Sequence, residues 1–174
     1  KSKTDVIVGN ETLLSETYMD ILAELQKGVP VQYLTNEAPF YNLELFVSPG
    51  VLIPRPETEQ LVHLVLEENR GTHKKVLDIG TGSGCIALAL KNAWNESTIT
   101  ACDISEEALE VARKNAKDLS INVDFYQTDI LTNEIAAYDI LVSNPPYISL
   151  SEKDTMHKNV IENEPHLALF VADK

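Results

Sequence analysis

Asn144-Pro145-Pro146-Tyr147 follows an apolar run, Ile140-Leu141-Val142-Ser143, and lies downstream of a glycine loop, Asp78-Ile79-Gly80-Thr81-Gly82-Ser83-Gly84. Consecutive prolines hold the backbone extended and remove two N–H donors, so the carbonyls project outward with little entropy left to lose. Asn144 Oδ1 and the Pro145 carbonyl can accept both hydrogens of a primary amide or exocyclic amine. Tyr147 offers the same planar group a flat face and a hydroxyl. An amide nitrogen is a poor nucleophile because its lone pair is delocalised into the carbonyl. Two acceptors on its hydrogens push electron density back to nitrogen, stabilise the positive charge that develops there and aim it at an electrophile. No strong general base is needed, in keeping with a turn that contains no His or Lys. The plain alternative is that Asn-Pro-Pro is only a good turn.

The glycine loop suits the other half of a group transfer. Gly80, Gly82 and Gly84, with Thr81 and Ser83 between them, allow positive φ and close approach of a ligand, and the following helix offers free N–H groups. A nicotinamide dinucleotide competes with S-adenosylmethionine for such a loop. Gly-Thr-Gly-Ser-Gly, however, lacks the two-residue gap before the third glycine of the dinucleotide fingerprint. Asp78, ahead of the first glycine, can meet the cationic amino-acid end of S-adenosylmethionine, directly or through water. Asp103, at the end of the next strand, can accept both ribose hydroxyls or serve as a helix N-terminal acid ahead of the N-cap Ser105. Asp129 can accept from an adenine amino group with Ile130 packed on the purine, or stand as an exposed turn acid.

These residues need a frame that brings strand ends together. Lys75–Ile79, 98–102, 123–127 and 138–143 read as strands, and Cys85–Ala93 and 106–119 as helices. Such alternation predicts an α/β fold: a Rossmann-like parallel sheet with helices on both faces, binding ligands beyond the carboxyl ends of its strands. Upstream, Pro56 opens a further helix with Glu57 and Glu59 at its positive end, and Gly71 ends it. Residues 40–47 read as a short strand or hairpin. Tyr18, Ile21, Leu22 and Leu25 form a helical stripe with Ser15 as N-cap and Gly28 and Pro30 as stop. One helix cannot bury its own stripe, so residues 1–35 read as the remnant of a helical domain or an arm, ahead of a main domain over 36–174.

Composition narrows the partners. At 174 residues, 44% hydrophobic and 24% charged, the chain fits a globular protein with one sizeable core. The net charge of −13, from 14 basic and 27 acidic residues, disfavours direct nucleic-acid binding and favours a basic protein partner. No apolar run is long enough to span a bilayer. Cys85 and Cys102 read as free buried thiols suited to a reducing cytoplasm. The four histidines are scattered, and no metal is expected.

Asp78-to-Gly84 together with Asn144-to-Tyr147 resembles the class I S-adenosylmethionine-dependent methyltransferases that modify planar nitrogens. Three flanking stretches make the chain similar to the protein-(glutamine-N5) methyltransferases of peptide chain release factors. They are Gly28-Val29-Pro30-Val31-Gln32-Tyr33-Leu34, Ile53-Pro54-Arg55-Pro56-Glu57-Thr58-Glu59 and Glu164-Pro165-His166-Leu167-Ala168-Leu169. The resemblance implies methylation of the glutamine in a Gly-Gly-Gln tripeptide of a release factor, with S-adenosylhomocysteine as product. It implies cofactor contacts from residues 80–84, Asp103, Ile130 and Asn144. Asn144, Pro145, Pro146 and Tyr147 would hold the amide, with Leu52 walling its pocket. Arg55 and Glu57 are open to a pocket role or a structural one. Asn-Pro-Pro-Tyr is shared with adenine-N6 nucleic-acid methyltransferases, which leaves that class as a rival; a non-catalytic cofactor-binding module is another. Family members continue past the 164–169 region, so further C-terminal strands and an uncovered strand edge are expected of this chain.

Overall fold

A computed structural model describes residues 16–71 and 73–171; Ser15 lies outside the described residues. The chain opens with helix α1, Glu16–Gln26, on which Tyr18, Met19, Leu22 and Leu25 are all exposed. Gly28, at φ +92°, supports the turn that follows. Pro30 does more than stop a helix: it is the N-cap of a second one, α2, Val31–Thr35. Five residues are too few to show periodicity, so the sequence does not announce α2.

Strands β1, Glu37–Phe40, and β2, Leu43–Phe46, form an antiparallel hairpin. Its two-residue turn places Tyr41 and Asn42 at φ +46° and +63°. Positive φ at both central positions matches the right-handed twist of the flanking strands. Helix α3, Pro56–Glu68, then begins with proline in its first turn and two acids beside it.

The α/β unit contains β3, Lys75–Ile79; α4, Cys85–Ala93; β4, Thr98–Asp103; α5, Glu106–Asp118; β5, Asp124–Gln127; and β6, Ile140–Ser143. Its four strands are all parallel, in the order β5-β4-β3-β6. The chain thus winds outward from β3 through β4 to β5, then crosses back to the other flank of β3. That reversal between β3 and β6 is the switch point where a crevice opens beyond the strand ends. The registers Ile79↔Cys102 and Ile79↔Ser143 bring the glycine loop, Asp103 and Asn144 to one rim of the sheet.

Packing follows the sequence pattern. Val76, Ile99 and Ala101 of neighbouring strands, with Val142, share one face of the sheet and pack with Ile86, Leu88 and Leu90 of α4 and Val62 and Val65 of α3. Helix α4 is buried along most of its length, from Ile86 to Leu90, whereas α5 buries a stripe: Ala108, Leu109, Val111, Ala112 and Asn115. At about 25 cal/mol per Å² of apolar surface, each buried Leu or Val contributes roughly 1.5–3 kcal/mol. Beyond β6 the chain adds β7, Ile148–Ser149, a 3₁₀ turn at Leu150–Thr155, and the short helices α6, Lys158–Asn163, and α7, His166–Leu169. It closes with β8, Phe170–Val171, parallel to β7. Among the described residues no helix is long and apolar enough to cross a membrane.

Candidate active site

The rim of the sheet carries a cavity of about 430 Å³. One wall is the glycine loop, from Ile79 to Ser83, backed by Cys85, Ile86 and Cys102. Asp103, Asp129 and Ile130 line it toward β4 and β5, and Leu52, Thr58, Asn144 and Pro146 line it on the other side. The switch point therefore places both halves of the expected chemistry on one enclosed space.

Backbone geometry builds the loop. Gly82 sits at φ +56°, which side chains other than glycine rarely adopt, and a Cβ there would meet no protein atom within 4 Å. Gly84 differs: at φ +83° its missing side chain lets α4 approach α5, since a Cβ would stand 3.2 Å from Ala112 Cβ.

Asp78 is fully buried beneath the loop and does not line the cavity, which corrects the expectation of direct contact with a ligand. Its Oδ2 accepts from the Thr81 hydroxyl at 2.6 Å and the Ala87 N–H at 3.2 Å, drawing the carboxylate inward to brace the turn. Oδ1 is left without a partner. Burial pushes the Asp78 carboxyl up to about 6 against these two hydrogen bonds, with the Asp103 charge adding to the rise. An acid whose folded pKa stands above its unfolded value binds its proton more tightly when folded. Asp78 therefore lowers stability progressively as pH rises from about 4 to about 6. The loss is no more than about 3 kcal/mol. Asp78→Asn cannot ionise. Urea unfolding across this range should show the variant gaining on the wild type as pH rises, and a pH-independent difference would refute the assignment.

Asp103 combines both roles open to it. Oδ2 accepts the Gly82 N–H at 2.9 Å and Oδ1 the Ser105 N–H at 3.0 Å, so it ties the loop to the start of α5. A carboxylate has about four acceptor sites, which leaves one on each oxygen for vicinal hydroxyls. Ser105 is the N-cap, accepting from the Ala108 N–H. Asp129 caps its own turn through the Leu131 N–H at 2.9 Å and also faces the cavity.

The Asn144 side-chain Nδ2 donates to Thr58 Oγ1 at 3.1 Å, and the preceding Ser143 hydroxyl donates to the Ile79 carbonyl at 2.8 Å. Pro146 lines the cavity but Pro145 and Tyr147 do not; Tyr147 is 77% exposed, at the point where the chain turns into β7. Burial raises the pKa of both thiols, that of Cys85 to about 12, so neither supplies a thiolate. Among the described residues no group of three or more His, Cys, Asp or Glu is placed to hold a metal.

Three polar anchors escape the sequence reading. Asn115 is 1% exposed; its Nδ2 donates to the carbonyls of Phe46 and Ser83, and its Oδ1 accepts the Phe46 N–H. An amide inside the apolar stripe of α5 is the signal that could have found it. Glu164 is buried, pairs with Arg55 at 2.6 Å and accepts the Ile53 N–H at 3.4 Å. Tyr33 donates to the Val51 carbonyl at 2.6 Å beside this pair, so the three flanking motif stretches meet in one corner. Arg55 thus has a structural partner, while Glu57 is exposed. Glu164→Ala strands the guanidinium and the Ile53 N–H. Since Arg55 is about one-third exposed, the expected cost is about 2 kcal/mol, below that of a fully buried pair, as read by denaturant midpoint. The third anchor is Thr58.

A parallel sheet with a glycine loop at its switch point, a ribose-competent acid on the next strand and an asparagine corner on the strand opposite defines an α/β domain built to bind a nucleoside cofactor. The family model described as methyltransferase small domain matches residues 57–168, and the chain belongs to that family. The release factor glutamine methyltransferase of Streptococcus pneumoniae is 50% identical over 151 residues, covering 87% of this chain and 54% of the relative. The protein of the same name from Bacteroides thetaiotaomicron is 45% identical over 177 residues, 98% of this chain and 63% of the relative. The chain thus spans little more than half the length of these curated relatives. Among solved structures, a Pyrococcus abyssi tRNA (uracil-54, C5)-methyltransferase in complex with S-adenosyl-L-homocysteine aligns over 78% of this chain and 34% of its own. Its TM-score is 0.53 at 18% identity, a likeness of fold.

Proposed function

We propose that this chain is the catalytic part of an S-adenosylmethionine-dependent protein-glutamine N5-methyltransferase acting on the Gly-Gly-Gln glutamine of a peptide chain release factor. The observation that carries the reading is the shared cavity: Asn144 and the glycine loop line the same 430 Å³ space. The relatives' names and identities supply the substrate class.

The cavity wall fits the cofactor. Residues 80–83 offer backbone to its amino-acid end and Asp103 retains acceptor capacity for its ribose. Asp129 and Ile130 stand where the base would lie. The unpartnered Asp78 Oδ1 adds negative potential under the loop, a fit for a cationic ligand. When bound, S-adenosylmethionine supplies an electrophilic methyl group on a sulfonium.

The chain's own residues then act on the acceptor. Asn144 Oδ1 and the Pro145 carbonyl take the two amide hydrogens, orient the nitrogen and stabilise its developing positive charge. Leu52 and Pro146 exclude water beside it. Tyr147, standing at the rim, serves the incoming peptide rather than the enclosed amide. Residues 1–35 serve as part of a helical substrate-binding unit, supported by the exposed stripe of α1, and residues 36–174 form the methyltransferase domain. A partner in translation termination implies the cytoplasm, and the net charge of −13 favours a protein over a nucleic acid.

Incubation of the protein with labelled S-adenosylmethionine and a release factor tests this directly. Label should appear on the Gly-Gly-Gln glutamine, located by mass spectrometry, and vanish when that glutamine is replaced. Label in DNA or RNA instead would replace this reading with the adenine-N6 one, and cofactor binding without turnover would point to a non-catalytic module.

A further inference from the structure

We propose that Thr58 is a positioning residue that sets which end of the Asn144 amide faces the acceptor; this rests on the function proposed above. A primary amide side chain has a donor end and an acceptor end of nearly the same shape, related by a half-turn about its last torsion. The acceptor glutamine brings two N–H donors. Only the oxygen end of Asn144 can receive one; the nitrogen end would set donor against donor. In the structure the nitrogen end is engaged by Thr58 Oγ1 at 3.1 Å, so the oxygen is the end left for the cavity.

Thr58 is well placed to hold that choice. It is 8% exposed, lines the cavity and lies in the first turn of α3. That turn is held from both sides. Arg55, its N-cap, pairs with buried Glu164 at 2.6 Å, and the Glu59 carboxylate accepts the Tyr41 N–H at 3.0 Å from the hairpin. The Thr58 N–H donates to the Arg55 carbonyl at 3.0 Å. On the other side, the Ser143 hydroxyl pins the strand end to Ile79. Both backbones are thus fixed, and the hydroxyl restrains the one remaining freedom, rotation of the amide. Consecutive residues of one motif therefore have separate tasks: Arg55 and Glu59 anchor the turn, and Thr58 reaches across 86 positions of sequence to Asn144.

Two variants of the full protein separate this from packing. Thr58→Val keeps the shape and loses the hydroxyl; Thr58→Ser keeps the hydroxyl and loses a methyl. With a release factor as substrate, Thr58→Val should lower kcat about tenfold to a hundredfold, as expected when an orienting contact is loosened. Calorimetric affinity for S-adenosylmethionine should stay within about twofold, and Thr58→Ser should recover most of the rate. A Thr58→Val enzyme with wild-type kcat, or a Thr58→Ser enzyme as slow as the valine variant, would overturn the proposal. A second readout does not depend on turnover. The side-chain NH₂ signals of ¹⁵N-labelled Asn144, assigned by their loss in Asn144→Ala, should exchange with solvent faster in Thr58→Val than in wild type. Unchanged exchange also overturns it. If the wild type methylates no release factor while the exchange rates still respond, the proposed substrate is wrong and the Thr58 contact stands.

Discussion

Asn144→Ala should lower kcat for methyl transfer by about 10²–10³-fold while leaving the fold intact. The magnitude is that of removing one preorganised group that meets charge developing in the transition state, about 3–4 kcal/mol. Two features of the site separate chemistry from stability here. Asn144 is half-buried and its side chain makes one hydrogen bond, to Thr58, so truncation should cost about 1 kcal/mol of stability. The glycine loop and Asp103 are tied to one another and to α5 without Asn144, so cofactor affinity should change little. Steady-state kinetics with a release factor, alongside thermal unfolding, reads both quantities. A rate within about fivefold of wild type would remove Asn144 from the chemistry.

Asn115→Leu should be the most destabilising single change outside the apolar core, at about 3–5 kcal/mol. Leucine matches the volume but leaves the Phe46 N–H and the carbonyls of Phe46 and Ser83 without their partner in a dry environment. Each such orphaned group costs about 1–3 kcal/mol. The same side chain joins the hairpin to the glycine loop, since its two carbonyl partners belong one to each. Loss of stability should therefore come with weaker binding of S-adenosylmethionine, an effect absent from Glu164→Ala, whose contacts lie away from the loop. Urea unfolding and calorimetry on both variants test the distinction. A cost under about 1.5 kcal/mol would mean that water or backbone movement replaces the amide.

How far the sequence reached is clearest from individual elements. The alternation of strands and helices from Lys75 onward, the glycine loop and the asparagine corner at the end of β6 were all legible. Differences in extent were small: β4 runs one residue further, to Asp103, and β6 begins at Ile140 rather than 138. Helix α2 and the pairing of β7 with β8 were not legible; elements of five residues or fewer carry no periodic signal. Asp78 was misjudged for a different reason. Its position before the glycines is local, but whether its carboxylate turns out to a ligand or in to Thr81 and Ala87 depends on the turn that follows.

The sequence by itself thus determined the class of fold, the rim on which chemistry could occur and the two halves of that chemistry. These follow from short-range rules: side-chain periods, glycine's access to positive φ, and proline's missing donor. Only the tertiary structure decided which polar side chains meet. Asn144 and Thr58 are 86 positions apart, Arg55 and Glu164 109, and Asn115 and Phe46 69. A hydrogen bond selects its partner by distance and direction in space, and chain spacing encodes neither until the sheet has closed around it.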